Sequence, residues 1–559
     1  MVESPPRDTR LGTRARVAGA ALALLGLAGA LFSAVRPTNF VGVDEWLCLS
    51  LLSRGIVSSP YANRPLNFVW GLPARWLFPD RLVGLLAVHA LWIGLGGVLV
   101  FLVLRRLLKG TMVPAFLAGA FTIVWAPSDS MRLVPADMFT YSGCTFGVLL
   151  ASWLALEAWA RRRVLPAVGA AVAATVAVLS HEAALAPLAP VPLLFLACGG
   201  RREPRRLAVA TLVVFGTLAV LVSRAALPLW TAPERISYQT QLHTADFRPA
   251  HLARRCLGQL RRHVRPLVEP VPPGARAWPT VPLALAVFAM GLAVCWRSER
   301  PSHHPSTGDT RGRRREPDAE RRTLVAIAIS GLLWAVLAYL PFVAGVQTHG
   351  AGRTEFLSAP GIGAFLAAAV AAIASFLPRR ARSAVVGLFG AWVVTLGVLR
   401  TTAFQAEWDR GSPYRDQRRV LLGVTSIAPQ VVPGTLLVLL GQGGTWPLDL
   451  TFRHAIAYLY EDHAVGHVPD SDAFLYETSF EPGGIRSSPM PVIRATWDET
   501  PRLFPYESVV VVREDTVGRL GLLEAWPRDL PPLPPGARYV PRSRILPGPR
   551  SRRIEVLDP

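Results

Sequence analysis

The feature that most constrains this chain is a succession of apolar runs, each near the thickness of a bilayer's hydrocarbon core, separated by short clusters of arginine. In lipid a run of that length satisfies its backbone polar groups as a helix, so the sequence predicts a polytopic α-helical membrane protein and argues against a soluble fold. Eleven spans are expected, at 17–35, 82–104, 112–126, 138–160, 164–180, 183–198, 207–229, 279–297, 323–345, 357–377 and 384–401. Half of the 559 residues are hydrophobic and 17% are charged, as such a reading requires.

The net charge of +21 would suit a nucleic-acid partner if it formed one patch. Instead the cations punctuate the apolar runs, where a membrane protein keeps its cytoplasmic arginines, so no nucleic acid is expected. With eleven spans the even-numbered junctions are cytoplasmic, and these carry Arg105-Arg106-Lys109, Arg161 to Arg163, Arg201 to Arg206 and Arg379 to Arg382. The short opposite loops are nearly free of cations. Arg7, Arg10, Arg14 and Arg16 hold the N-terminus in the cytoplasm. The first run ends in ALFSAV, which fits a cleavable signal peptide, but its length and the spans that follow favour a retained anchor.

Three regions follow: a cytoplasmic tail, 1–16; a transmembrane domain, 17–401; and an extracytoplasmic domain, 402–559. The transmembrane domain carries a first outer loop at 36–80, a long outer loop at 230–278 and a cytoplasmic loop at 298–322. In the last region hydropathy falls, TLLVLLG, ESVVVVRED and RRIEVLD read as strands and HAIAYLYED as a helix, which together predict a small α/β domain. In the long outer loop Leu252, Cys256, Leu257, Leu260 and Val264 recur at helical spacing among arginines. This reads as a basic amphipathic helix on the bilayer surface, its arginines meeting lipid headgroups or a lipid phosphate, or else simply solvated. The five cysteines have no CxxC or histidine-rich company, so neither a disulfide framework nor a zinc site is indicated.

Chemistry is expected in the outer loops. Asp44 and Glu45, in VGVDEW, follow the first span directly, and adjacent carboxylates at a membrane surface are costly unless they serve a purpose. A carboxylate beside an acceptor hydroxyl can take its proton, although most such pairs are solvated surface charges. Arg64, Arg132, Asp137, His181, Glu182, His349 and Arg353 fall on the same outer side as that pair. Each also has a structural reading: His181 and Glu182 as a polar turn, Arg353 as an interfacial anchor, Arg132 as a partner of Asp129 or Asp137. Trp46, Tyr61, Trp70, Trp76 and Trp125 fit an aromatic belt better than sugar stacking.

Four segments in order resemble the type C glycosyltransferase (GT-C) superfamily, in its protein O-mannosyltransferase-like branch. VGVDEW is similar to the acidic first-loop motif, and YANRPLNFVW to a Tyr-x-Arg-Pro-Leu stretch, through Arg64, with one residue inserted after Tyr61. The segment around Arg132 and Asp137 resembles the second outer loop with altered spacing. SHEAAL resembles Ser-Lys-Glu-x-Ala-Leu with His181 in place of lysine, and GRTEFLSAPGIG a late Arg-x-x-Tyr-Leu-Pro motif through Arg353, with Phe356 in place of tyrosine and Pro360 displaced. The likeness covers about 15–401 and leaves the C-terminal domain without a counterpart.

What the resemblance implies is a bacterial inner-membrane enzyme that moves a mannose-like hexose or a pentose from a polyprenyl-phosphate sugar to a glycan or protein acceptor, with inversion. Asp44 would be the base and Glu45 its partner, orienting the acceptor or tuning Asp44. Arg353, His181 and Arg64 would hold the donor phosphate, and Glu182, Arg132, Asp137 and His349 would support the acceptor or the site. Membrane lipids are partners. No metal or other cofactor is called for by a ligand set, although some relatives in the superfamily use a divalent cation. A transporter or flippase, and an inactive scaffold of the same fold, remain as alternatives.

Overall fold

A computed structural model of the chain describes residues 7–59, 64–125, 130–161, 163–189, 191, 248–299, 317–343, 352–441, 444–497, 499–515 and 517–557. Its longer helices, in chain order, are α1 (Arg7–Phe32), α2 (Glu45–Arg54), α3 (Leu72–Leu77), α4 (Leu82–Leu107), α5 (Val113–Val124), α6 (Pro135–Arg161), α7 (Val164–Ser180), α8 (Pro249–Val264), α9 (Thr280–Glu299), α10 (Pro317–Val343), α11 (Gly352–Ala374) and α12 (Arg379–Gly411). Beyond them come α13 (Tyr414–Ile427) and α14 (Asp449–Leu459).

Among the described residues seven helices are long and apolar enough to cross a membrane: α1, α4, α6, α9, α10, α11 and α12. They carry outward apolar side chains such as Leu22, Met290, Ile329 and Leu388, as a lipid-facing surface requires. Of the four other expected spans, α5 and α7 are shorter apolar helices. The stretch 183–198 is described only at its start, where it forms a 3-10 turn at Glu182–Ala184 and one helical turn at Leu185–Leu188. The stretch 207–229 lies outside the described residues. Of the eleven expected spans, the described residues thus show seven as full-length helices and two as short ones.

The helix α5 is the clearest departure. Twelve residues rise about 18 Å, well short of a hydrocarbon core of roughly 30 Å. Every one of its side chains is buried, so it is the centre of the bundle and not a lipid-facing span. Small residues let its neighbours approach: a Cβ on Gly363 of α11 would lie 2.7 Å from the Ala118 carbonyl, and one on Gly397 of α12 would lie 2.6 Å from the Val124 carbonyl.

The end of the bundle beside the C-terminal region is tied by polar contacts, on a part of α12 that continues ten residues beyond the span expected to end at 401. On that extension Gln405 bonds Asn39 in both directions, at 2.8 and 3.0 Å, and Asp409 pairs with Arg36 at 2.7 Å. Asn39 also donates to the Leu133 carbonyl at 2.8 Å. The exits of α1, α5 and α12 are therefore fixed together.

After α13 the chain forms the α/β region. A four-stranded sheet has the order β3-β2-β7-β8, with β2 (Thr435–Leu440) parallel to β3 (Ala464–His467) and to β7 (Val509–Glu514), and β8 (Leu520–Leu522) antiparallel at one edge. All six residues of β2 are buried, as the run TLLVLL demands of a central parallel strand. An antiparallel sheet of β4 (Tyr476–Glu481), β5 (Gly484–Pro489) and β6 (Arg502–Phe504) completes the region, with a small pair of β1 (Gln430–Val431) and β9 (Ile545–Leu546). The segment RRIEVLD, expected as a strand, is instead a 3-10 helix, Arg552–Leu557. Its carbonyls are taken by side chains and not by a sheet edge: Val556 accepts from the Tyr414 hydroxyl at 2.7 Å and Leu557 from Arg418.

The first outer loop and this α/β region share one hydrophobic core. Phe40, Trp46, Leu47 and Leu51 of the loop pack with Val424, Leu437, Ile456 and Val510. Trp46 donates from Nε1 to Gln417 at 2.8 Å, Trp497 donates to the Ser58 carbonyl at 3.2 Å, and Tyr458 donates to Asp80 at 3.1 Å. The loop is thereby a rigid layer between bundle and sheet.

Candidate functional site

The acidic turn is built by its own backbone. Gly42 takes φ +90°, and a Cβ there would lie 2.9 Å from Pro413 Cβ, so only glycine lets the chain turn against α13. The turn aims three amides at Glu45: Val41 donates to Oε1 at 2.5 Å, and Gly42 and Val43 to Oε2 at 3.0 and 3.1 Å. Glu45 has no exposed surface. Burial, then the nearby Asp137, and last Asp44 push its carboxyl up to about 8, against the pull of the Val41 amide. Asp44 is the residue that precedes α2 as its N-cap. Cys48, one turn into α2, has its thiol pushed well above its ordinary value by burial and by Asp137, Asp44 and Glu45. Asp44 and Asp137, the latter in the first turn of α6, are thus near enough to Glu45 for their charges to raise its pKa.

A second cluster lies where the first loop meets the end of α7. Arg64 donates from Nε and Nη2 to the two oxygens of Glu182 at 2.8 and 2.7 Å, a bidentate pair. Burial opposes the Glu182 charge, but the Arg64 guanidinium, with His181 beside it, holds the carboxyl well below the usual range. The Nδ1 of His181 accepts from the Ala183 amide at 3.2 Å, which leaves Nε2 to carry the ring proton toward the Tyr141 hydroxyl, also at 3.2 Å. Tyr141 in turn stacks on Phe356, with centroids 6.0 Å apart, and Phe342 lies 5.9 Å from the His181 ring.

The two clusters are joined through α6. Asp137 and Tyr141 are four residues apart in one helix and so share a face. Phe356 in turn lies three residues after Arg353, the second residue of α11, whose side chain is outside the described set. His349 also lies outside the described residues. The Arg132 guanidinium reaches the Ile123 carbonyl at the C-terminal end of α5, where a cation complements the helix dipole. The Arg132 carbonyl in turn meets His89 Nε2 at 3.0 Å.

Tyr141, Phe342 and His89 were not anticipated. The spacing of Tyr141 from Asp137 was a usable signal in the sequence. The placing of His89 and Phe342 depends on helix crossings that the sequence does not show.

Two cavities adjoin α11. One, of about 330 Å³, is lined by Trp92, Thr122, Arg132, Ser142 and Phe356 among others. The second, of about 480 Å³, is apolar and lies between α4, α6, α10 and α11, with Leu104, Leu149, Trp334, Pro360 and Ala364 in its wall. Beside it α10 and α11 cross in close contact, since a Cβ on Gly361 would come 2.4 Å from the Gly331 carbonyl. Pro360 donates no backbone hydrogen bond, which leaves the Phe356 carbonyl without its helical partner. Among the described residues no group of three or more His, Cys, Asp or Glu side chains is arranged to hold a metal ion.

No known protein family and no curated protein matches this sequence. Among solved structures the chain is similar to an archaeal oligosaccharyltransferase, AglB from Archaeoglobus fulgidus, in complex with an inhibitory peptide and a dolichol-phosphate. The TM-score is 0.42 at 13% identity, over 94% of this chain and 75% of that one.

Proposed function

We propose that the chain is a membrane glycosyltransferase that takes a sugar from a polyprenyl-phosphate donor at the extracytoplasmic face, with inversion. The observation that supports this reading is the nearness of Asp44 and Asp137 to Glu45 at the end of the bundle where α11 starts, with Arg353 as its second residue. An acidic centre for the acceptor and a basic helix start for the phosphate are what such a transfer needs.

In this scheme Asp44 accepts the proton of the acceptor hydroxyl as its oxygen attacks the anomeric carbon. The bond from that carbon to the phosphate oxygen breaks, and the electron pair leaves with polyprenyl phosphate. Glu45 spends its carboxylate on three loop amides and is fully buried, so it acts on Asp44 by shaping the turn and not by touching the acceptor. Arg353 and the amides at the start of α11 stabilise the leaving phosphate. The apolar cavity beside Pro360 suits a polyprenyl tail. Arg64 is occupied by Glu182 and His181 by Tyr141, so both hold the pocket wall, and a direct part in phosphate binding falls to Arg353. Arg132, in the turn between α5 and α6, and Asp137, in α6, support the site.

The test is release of polyprenyl phosphate from a panel of polyprenyl-phosphate hexoses and pentoses by the purified chain in proteoliposomes. Release of polyprenyl phosphate with sugar appearing on an acceptor or water supports the proposal. Transbilayer movement of an intact donor without cleavage points to a flippase.

A further inference from the structure

The helix α8 and the segment after it are not used by this chemistry, and their surface is unusual. Residues 248–280 hold seven arginines and a single carboxylate, Glu269, which pairs with Arg265. Three stripes run along α8. Cys256 and His263 are buried, with Leu252 beside Cys256 against Tyr339 and Val343 of α10. On the opposite side Arg254, Arg261 and Arg262 are exposed, and among the described residues no carboxylate pairs with them. Between the two, on one flank, Leu257 and Val264 are spaced seven residues apart and are 51% and 43% exposed.

The level of this helix is fixed by its neighbours. It packs on the last turn of α10, and His263 Nε2 meets Ser358 Oγ, in the second turn of α11, at 3.0 Å. The segment leads through Val268, 83% exposed, to Trp278, 79% exposed and two residues before α9 enters its span. Exposed tryptophan at a span entrance marks the interface between headgroups and acyl chains. An apolar flank at that level faces lipid, and the exposed arginines beside it face phosphate.

We infer that α8 is a docking site for anionic phospholipid headgroups of the bilayer, with Arg254, Arg261 and Arg262 on the phosphates and Leu257 and Val264 in the acyl boundary. The site is separate from sugar transfer, and it would stand if the chain proved to be a transporter. Its link to α11 is the His263–Ser358 contact, through which a seated α8 holds the start of that helix.

The test uses the full chain in phosphatidylcholine bilayers with and without phosphatidylglycerol. Native mass spectrometry should show phosphatidylglycerol retained over phosphatidylcholine. The triple variant Arg254→Gln/Arg261→Gln/Arg262→Gln should lose that preference by about fivefold per arginine at low salt. A fluorophore on Leu257→Cys, with the other arginines intact, should be quenched by lipid-borne and not by aqueous quenchers. Undiminished phosphatidylglycerol retention in the triple variant, or a Leu257 label open to aqueous quencher, would overturn the proposal.

Discussion

Arg64 grips Glu182 through two parallel hydrogen bonds, at 2.8 and 2.7 Å, and so fastens the first outer loop to the end of α7 across 118 residues of sequence. Arg64 is almost fully buried, so removing its partner strands a charge. Glu182→Gln should lower stability by about 3–5 kcal/mol, whereas replacing both residues by leucine should cost less than either single change. Thermal unfolding in detergent reads both. Glu182 has a depressed pKa, so its contribution is complete above the ordinary carboxylate range and is lost only as pH falls through the folded value. Between pH 8 and pH 5 the difference in melting temperature between the native chain and Glu182→Gln should therefore stay constant.

Glu45 behaves with the opposite sign. Its folded pKa is raised to about 8, so its contribution is complete below the ordinary carboxylate value and is lost as pH rises to about 8. The neutral variant Glu45→Gln should gain on the native chain as pH rises from 5 to 9. A melting-temperature difference that does not move with pH would show that the carboxyl titrates normally.

The α/β region cannot serve as a removable cap, because the first loop has its core there. Deleting residues 405–559 should expose Phe40 and Trp46, both fully buried, and give an aggregated or proteolysed product. Point changes are the sharper probe. Gly42→Ala should force the turn off Pro413, cost about 1–3 kcal/mol and reduce transfer with it. Limited proteolysis of the loop reports the first effect and the proteoliposome assay the second.

The crossing of α10 and α11 is set by Gly331 and Gly361. Gly361→Val should push the helices apart beside the apolar cavity and destabilise the protein by about 1–3 kcal/mol. Loss of thermal stability with donor binding intact would place the lipid tail elsewhere.

Much of this architecture is legible in the sequence. Apolar length and arginine placement pick out the seven long helices, and alternation with a buried apolar run picks out β2 and β7. The acidic turn and the amphipathic α8 are visible as patterns too. What is not legible depends on tertiary context. The run at 112–126 reads as a span by hydropathy, yet α5 ends at Val124, where Arg132 meets the Ile123 carbonyl. The segment RRIEVLD has strand propensity but no edge to join. Arg64 and His181 read as holders of a phosphate and Glu182 as support, while the fold pairs Arg64 with Glu182 and His181 with Tyr141.

The central claim is that Asp44 is the base of a sugar transfer. Its most direct test is turnover of Asp44→Asn in proteoliposomes supplied with a polyprenyl-phosphate sugar that the native chain consumes, measured beside donor binding. The account predicts that kcat falls by about 10²–10⁴ while donor affinity and melting temperature stay near native values. Turnover at the native rate by a folded Asp44→Asn protein would contradict it.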